Sequence, residues 1–182
     1  AREQCFCVLA KDVSPEWILE GDIKGCFDHI SHEWLLNNIP MDKVMLRKWL
    51  NSGFVYNSEL FPTVEGTPQG GIISPTLANM TLDGLEAVLK RRFKTHCKKG
   101  VYTSYKVHLI RYADDFVIGV IGSKKDAEKI KEDVKIFLQE KLHLEMSEEK
   151  TKVTHSSKPV RYLGYDFKVI HSKNMKRCKN GD

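Results

Sequence analysis

The sequence has no apolar run approaching the ~20 residues a membrane-spanning helix needs, and its first residues show no secretory-leader pattern. No internal repeat, low-complexity tract or Pro/Gly/Ser-rich linker divides it. It lacks an even cysteine framework: Cys5, Cys7, Cys26, Cys97 and Cys178 make five, which points to a reducing compartment and away from a disulfide scaffold. Zinc spacing is missing too. Cys5 and Cys7 form C-x-C without a second Cys or His pair, and His29 and His32 have no evident helix-borne partners. The expectation is neither a membrane protein nor a secreted one.

What is present is an ordinary globular composition: 182 residues, 41% hydrophobic, 29% charged, formal charge +5. That length suits one domain burying roughly 70% of the surface its unfolded chain exposes. The charge is unevenly spread. Residues 1–42 carry eight acids against Arg2, Lys11 and Lys24, whereas Lys90 to Arg111 holds eight basic residues and no acid. Lys168, Lys173, Lys176, Arg177 and Lys179 make the last segment basic as well. An acidic part that holds cations beside basic parts that face a polyanion fits this layout, and so does a solvated basic loop.

Trp17 to Ile23 reads as a strand. Ser31 is placed to cap a helix over 31–38 that stops before Pro40, and the apolar spacing over 41–50 is helical. Residues 53–66 read as extended, with room for a hairpin. Ser74-Pro75 opens a helix to about Phe93 with Leu77, Met80, Thr81, Gly84, Leu85, Val88 and Leu89 on one face. Two strands follow, about 105–113 and 116–121, joined by Asp114-Asp115. Ser123 and Asp126 resemble a capping box for a helix to Leu142 with Ala127, Ile130, Val134, Phe137 and Leu138 inward. Short strands at 153–154 and 161–169 complete the pattern. The order predicts an α+β fold on a split β-α-β plan, an antiparallel sheet with helices on one face.

The sharpest chemical signal is Asp114-Asp115 between two apolar strands. One Asp suits a tight turn, because it tolerates positive φ. Two adjacent carboxylates repel, a cost relieved by a divalent cation; a merely polar turn is the alternative. Asp22 lies at a strand end between Gly21 and Gly25, where glycines permit close approach of a backbone or ligand. With the first strand beside the hairpin, Asp22 and Asp114 share a hard, oxygen-rich site suited to Mg²⁺. Two such ions about 3.5–4 Å apart support in-line phosphoryl transfer. Glu20 and Asp28 compete for the role.

The segments Asp22-Ile23-Lys24-Gly25-Cys26-Phe27-Asp28, Thr67-Pro68-Gln69-Gly70-Gly71-Ile72-Ile73-Ser74-Pro75 and Tyr112-Ala113-Asp114-Asp115 resemble successive palm motifs of reverse transcriptases. "GTPQGGIISPTLANMTLDGLE" and "RYADDFVIG" resemble most the group II intron-encoded branch, the maturases. Glu149-Lys150-Thr151-Lys152 and Val160-Arg161-Tyr162-Leu163-Gly164-Tyr165 resemble its later motifs, so the likeness spans Trp17 to about Phe167.

The resemblance implies a polymerase palm and a role for each matching position. Asp22 and Asp114, with the carbonyl of Ile23, hold Mg²⁺ (Mn²⁺ as a substitute), and Asp115 is the second hairpin acid, also counted with the metal set. Phe27 is the aromatic gate beneath the incoming sugar; a core Phe is its bland reading. Pro68, Gln69 and Gly70 lie by the nucleotide and template, the bland reading being a helix-start loop. Lys150 stands near the triphosphate as a proton donor, or is simply a surface lysine. Tyr162, Leu163 and Gly164 grip the primer. Lys90, Arg91, Arg92, Lys94, Lys98, Lys99 and Arg111 are candidates for phosphate contacts.

The implied partners are an RNA template with a DNA primer, a deoxynucleoside triphosphate and group II intron RNA, in a bacterial or organellar cytoplasm. The expected division is an N-terminal remnant over 1–16, the palm over 17–169 and a basic tail over 170–182 leading towards a thumb. Fingers precede such a palm in the family, so the resemblance implies a palm-centred part whose bared surfaces favour self-association and which is inactive alone. Other readings are a non-catalytic maturase-type RNA-binding or splicing module and a retron-type or diversity-generating enzyme. A phosphoacceptor receiver also groups acids around Mg²⁺, but it needs repeated parallel βα units.

Overall fold

The computed structural model describes residues 1–10, 14–63, 65–67, 71–93, 97–98, 101–102 and 106–170. In chain order its elements begin with α1 (Arg2–Leu9), β1 (Trp17–Gly21), α2 (Cys26–His29), α3 (His32–Asn38) and α4 (Lys43–Leu50). Then come the hairpin β2 (Phe54–Tyr56) and β3 (Glu59–Phe61), the long helix α5 (Ser74–Arg92), and β4 (Cys97–Lys98) with β5 (Val101–Tyr102). β6 (Lys106–Tyr112) and β7 (Asp115–Ile121) precede α6 (Lys124–Phe137), which continues as a π-type turn over Leu138–Leu142. β8 (Lys152–His155) and the hairpin β9 (Val160–Tyr162) and β10 (Tyr165–Phe167) follow.

The helix starts are set by local chemistry. The Ser31 hydroxyl accepts the Trp34 N–H at 3.2 Å and caps α3. The Asp42 carboxylate accepts the Met45 N–H at 2.8 Å and caps α4, so that helix starts two residues later than the apolar spacing suggests. Pro75 occupies the first turn of α5, where its missing N–H costs nothing. Ser123 and Asp126 form the expected reciprocal capping box on α6. On α5 the buried stripe is Leu77, Ala78, Thr81, Leu82, Leu85 and Leu89. Met80 and Val88 are only half-buried and Gly84 is exposed, so the inward face is turned from the predicted one.

Strands β6-β7-β1-β8 form one sheet in that order, every pair antiparallel. With helices between β1 and the β6–β7 hairpin, and α6 between the hairpin and β8, this is the split β-α-β arrangement. Central β1 is buried on both faces, since period-2 alternation points Leu19 one way and Ile18 the other. Leu19, Phe116, Ile118 and Val120 join Leu35, Leu46, Leu85 and Ile130 in the larger core beneath α3 to α6. The opposite face carries a smaller core. There Ile18, Ile110 and Val117 meet Cys5 and Val8 of α1 and Val160 and Tyr162 of β9.

Two details depart from the sequence expectation. Tyr112 pairs with Asp115, so the two-residue turn is Ala113-Asp114, and Asp115 is the first residue of β7. Ala113, not an aspartate, takes the left-handed conformation, φ +55°. Register decides this: a slip by one residue would exchange Phe116 and Val117 between the two cores. The stretch expected as one strand over 161–169 is instead a hairpin, turned by Leu163 (φ +51°) and Gly164 (φ +81°).

Candidate active-site cleft

β1 ends where Gly21 pairs with Phe116. A Cβ on Gly21 would lie 2.2 Å from Phe116 Cζ, so the buried ring occupies the space of the missing side chain. The glycine thus admits a neighbouring aromatic, and the chain leaves the sheet at Asp22. From there it is held by a short antiparallel ladder. Ser147 N–H donates to the Asp22 carbonyl and Lys24 N–H to the Glu145 carbonyl, both at 2.9 Å, around an Ile23–Met146 bridge. In such a pair the bonding groups alternate, so the N–H and C=O of Ile23 itself face away from 145–147. Its side chain is core, 2% exposed.

The same ladder delivers Lys150. Its Nζ lies 3.2 Å from Asp22 Oδ2, the lysine exposed and the aspartate largely covered. Asp22, Ile23, Phe27, Asp114, Glu149 and Lys150 are among the residues lining one open cleft of about 540 Å³. Two strand ends, one helix and one loop therefore bring together residues nearly 130 positions apart in sequence. Glu20 and Asp28 do not line it. Glu20 sits half-buried within β1 and accepts the Thr154 hydroxyl at 3.1 Å; Asp28 is exposed on α2.

The cleft is electronegative. Burial first, and then the charges of Asp114 and Asp22, hold the Asp115 carboxyl above the usual carboxylate range, with Lys150 acting the other way. Burial, followed by Asp114, pushes the Cys26 thiol up to about 12, so it is a protonated neighbour at neutral pH. Among the described residues no three His, Cys, Asp or Glu side chains converge tightly enough to cage a metal ion. Two carboxylates, one just past the end of β1 and one in the β6–β7 turn, with a nearby backbone carbonyl still fit Mg²⁺, which binds through one or two carboxylates and completes its shell with substrate phosphates and water.

Phe27 is half-buried in α2, between the larger core and the cleft. Its carbonyl accepts the Thr67 N–H at 2.6 Å, and Gly66 N–H donates to the Ile30 carbonyl at 2.9 Å. His32 Nε2–H donates to the Gly66 carbonyl at 2.6 Å. Gly66 has φ +73°, and a Cβ there would meet the Phe27 and Asp28 carbonyls at 2.4 Å. Residues 65–67 are thus stitched to the α2–α3 corner. Pro68, Gln69 and Gly70 lie outside the described residues.

The remaining candidates divide. Tyr162 is buried; its hydroxyl donates to the carbonyls of Asp115 (3.3 Å) and Ile110 (3.5 Å), so it props the hairpin from below. Gly164 in the adjoining turn is exposed, and Leu163 partly so. Arg111, taken from the sequence as a phosphate contact, is engaged inside the protein. Its guanidinium bonds Asn79, Asp83 and the Ala113 carbonyl. Lys90 is exposed and paired with Glu86 at 2.6 Å, and Arg91 is exposed on α5. Lys94, Lys99 and the side chains of Arg92 and Lys98 lie outside the described residues. Sequence reasoning did not foresee the His32–Gly66 bond or the 145–147 ladder, and nothing local marked Asn79 and Asp83 on α5 as partners of Arg111.

Comparison with known proteins identifies the family and the fold. Residues 3–167 match the family described as Reverse transcriptase (RNA-dependent DNA polymerase). The chain is 35% identical to the group II intron-encoded protein LtrA of Lactococcus lactis subsp. cremoris, over 88% of this chain and 36% of that protein. It is 29% identical to the putative COX1/OXI3 intron 2 protein of Saccharomyces cerevisiae, over 91% of this chain and 26% of the other. It therefore spans about a third of the length of these relatives or less. Among solved structures, telomerase from Candida tropicalis in complex with a TWJ fragment of telomeric RNA superposes with TM-score 0.62 at 12% identity. That match covers 97% of this chain and 32% of the telomerase, a likeness of fold. The apo telomerase from the same organism gives 0.57 at 16% identity, over 92% and 34%.

Proposed function

The chain belongs to the reverse transcriptase family, and from that premise we propose that its cleft is the nucleotidyl-transfer centre of an RNA-directed DNA polymerase of the group II intron type. The observation that carries this reading is the meeting of Asp22, Asp114 and Lys150 at one open cleft. A structural ion pair alone would not require a further carboxylate at the tip of a strained turn.

In this reading the primer's 3′-hydroxyl oxygen attacks the α-phosphorus of a deoxynucleoside triphosphate. A new P–O bond forms, the hydroxyl proton passes to solvent water, the bond to the bridging oxygen of the β-phosphate breaks, and pyrophosphate leaves. Asp22 and Asp114, assisted by the Ile23 carbonyl, would hold Mg²⁺ or Mn²⁺. The ion, when bound, lowers the pKa of the attacking hydroxyl and stabilises charge on the phosphates. Asp115 adds negative potential beside them. Lys150, exposed and within reach of Asp22, is placed to meet the triphosphate and to supply a proton to the departing pyrophosphate. Phe27 flanks the sugar, where a 2′-hydroxyl would clash with its ring. Gln69, with Pro68 and Gly70, follows directly on Thr67, whose N–H is anchored to Phe27. The Leu163-Gly164 turn contacts the primer, with Tyr162 as its buried footing.

RNA template, DNA primer and group II intron RNA are the proposed partners, and Lys94, Lys98 and Lys99 are the cations proposed to meet their phosphates. No helix among the described residues is long and apolar enough to cross a membrane, and the proposed location is the bacterial or organellar cytoplasm.

Primer extension on poly(rA)–oligo(dT) with Mg²⁺ tests the reading, using this chain and a longer form that includes fingers and thumb. Asp114→Ala should abolish extension, since several kcal/mol of transition-state stabilisation corresponds to about a thousandfold or more in rate. A longer form that binds intron RNA tightly yet never extends would replace this reading with the splicing module.

A further inference from the structure

We infer that Arg111, Asn79 and Asp83 form a brace that sets the position of Asp114, so that a carboxylate outside the cleft controls how well the cleft binds a divalent cation. The inference rests on the proposed reading of the cleft and adds positioning residues to it.

The argument begins at the turn. Ala113 is held at φ +55° without being glycine, a conformation that persists only where surrounding contacts over-determine it. Asp114 follows it, so the direction of that carboxylate depends on the Ala113 peptide. The Ala113 carbonyl accepts Arg111 Nη1–H at 3.0 Å. The same nitrogen donates to Asn79 Oδ1 at 2.7 Å. Nη2 donates to Asp83 Oδ1 at 2.7 Å and to the Asn79 carbonyl at 3.3 Å.

Asn79 and Asp83 stand one helical turn apart on the same face of α5. One rigid, planar guanidinium therefore ties the turn to two levels of the helix at once. A lysine ammonium, a single point with three donors, has no equivalent geometry. The Arg111 side chain is 14% exposed whereas that of Asp83 is 70% exposed, so the brace runs from beneath the turn out to the surface. Neither Asn79 nor Asp83 lines the cleft. An effect of either that is carried by contacts passes through Arg111 and the Ala113 peptide.

Mn²⁺ titration of this chain, followed by electron paramagnetic resonance, tests the inference. Asp83→Asn and Arg111→Lys should each weaken Mn²⁺ binding about tenfold, as loss of a hydrogen bond that supports a metal-ligating group does. Asp83→Glu should restore most of it. Melting temperatures of the Asp83 variants should stay within about 3 °C of wild type, because that carboxylate is solvated and its ion pair contributes little to stability. Asp114→Asn is the control. If wild type binds no Mn²⁺, or Asp114→Asn leaves binding unchanged, the cation-site reading fails and the brace falls with it. If Asp114→Asn removes binding while Asp83→Asn and Arg111→Lys bind like wild type, the cleft reading stands and the brace is refuted. A loss on Asp83→Asn that tracks a lowered melting temperature and is not rescued by Asp83→Glu also refutes it, leaving general destabilisation as the cause.

Discussion

At the scale of single residues, the cleft depends on an absent side chain as much as on charged ones. Gly21 makes room for the Phe116 ring, and the chain turns out of the sheet at the next residue, Asp22. Two effects of Gly21→Ala oppose each other. In a strand, alanine is normally favoured over glycine by roughly 0.5–1 kcal/mol. Here its Cβ would fall 2.2 Å from Phe116 Cζ, and overpacking of a full core costs about 1–3 kcal/mol. The clash should win, lowering the melting temperature by at least about 2 °C. Calorimetry that finds Gly21→Ala equal to or more stable than wild type would remove the packing argument. The adjacent acids illustrate the same dependence on neighbours: Asp114 is a turn residue and Asp115 a strand residue only because Tyr112 pairs with the latter.

At the scale of elements, the loop that carries Lys150 is registered against α6 by one carboxylate. Glu148 receives Lys135 at 2.6 Å and Lys131 at 3.2 Å, while 145–147 ladder with 22–24. The hydrogen bond from Lys135, then that from Lys131, holds the Glu148 carboxyl below its usual range, and Lys135 is correspondingly raised. A depressed carboxylate contributes stability that is complete above its unfolded pKa and is lost as pH falls through the folded value. Glu148→Gln should therefore be modestly less stable than wild type at pH 7. The two urea midpoints should converge in acid below the carboxylate range, and also in high salt, since the groups are solvated. A difference that persists unchanged in acid would mean that Glu148 acts through packing and not through charge.

At the scale of the whole molecule, two cores share one sheet. The larger lies beneath α3 to α6; the smaller joins α1 to the β9–β10 hairpin across the other face. The cleft opens where β1 and the β6–β7 hairpin end. The smaller core reaches the hairpin one residue from Asp114, because the buried Tyr162 hydroxyl donates to the Asp115 carbonyl. Removing residues 1–9 should uncover Ile18, Ile110, Val117 and Tyr162. Burial of a single valine is worth about 1.5–3 kcal/mol, so the loss of Val8 and Cys5 together should lower the melting temperature by about 4 °C or more. Binding of an apolar dye should rise in parallel. A truncated chain that melts like wild type and binds no more dye would show that α1 adds nothing to the fold.

Much of this was legible in the amino-acid order, because the signals are local. Ser31, Pro75 and the Ser123/Asp126 pair mark helix starts through bonds to their own neighbours. Two apolar runs meeting at Asp114-Asp115 mark a hairpin, and the motif segments indicate the family through residue type and spacing. Tertiary structure alone decided the rest, since it depends on partners far away in sequence. Ala113 takes the strained position because two cores fix the register of β6 on β7. The α5 stripe turns to Ala78 and Leu82 because the sheet and α6 set which side is covered. Residues 2–9, silent by composition, fold as a helix against the second face. Arg111 looked like any cation in a basic stretch. Its bonds were decided by Asn79 and Asp83, brought to it from α5 across some thirty residues of chain, because a guanidinium bonds whatever acceptors the fold sets in its plane.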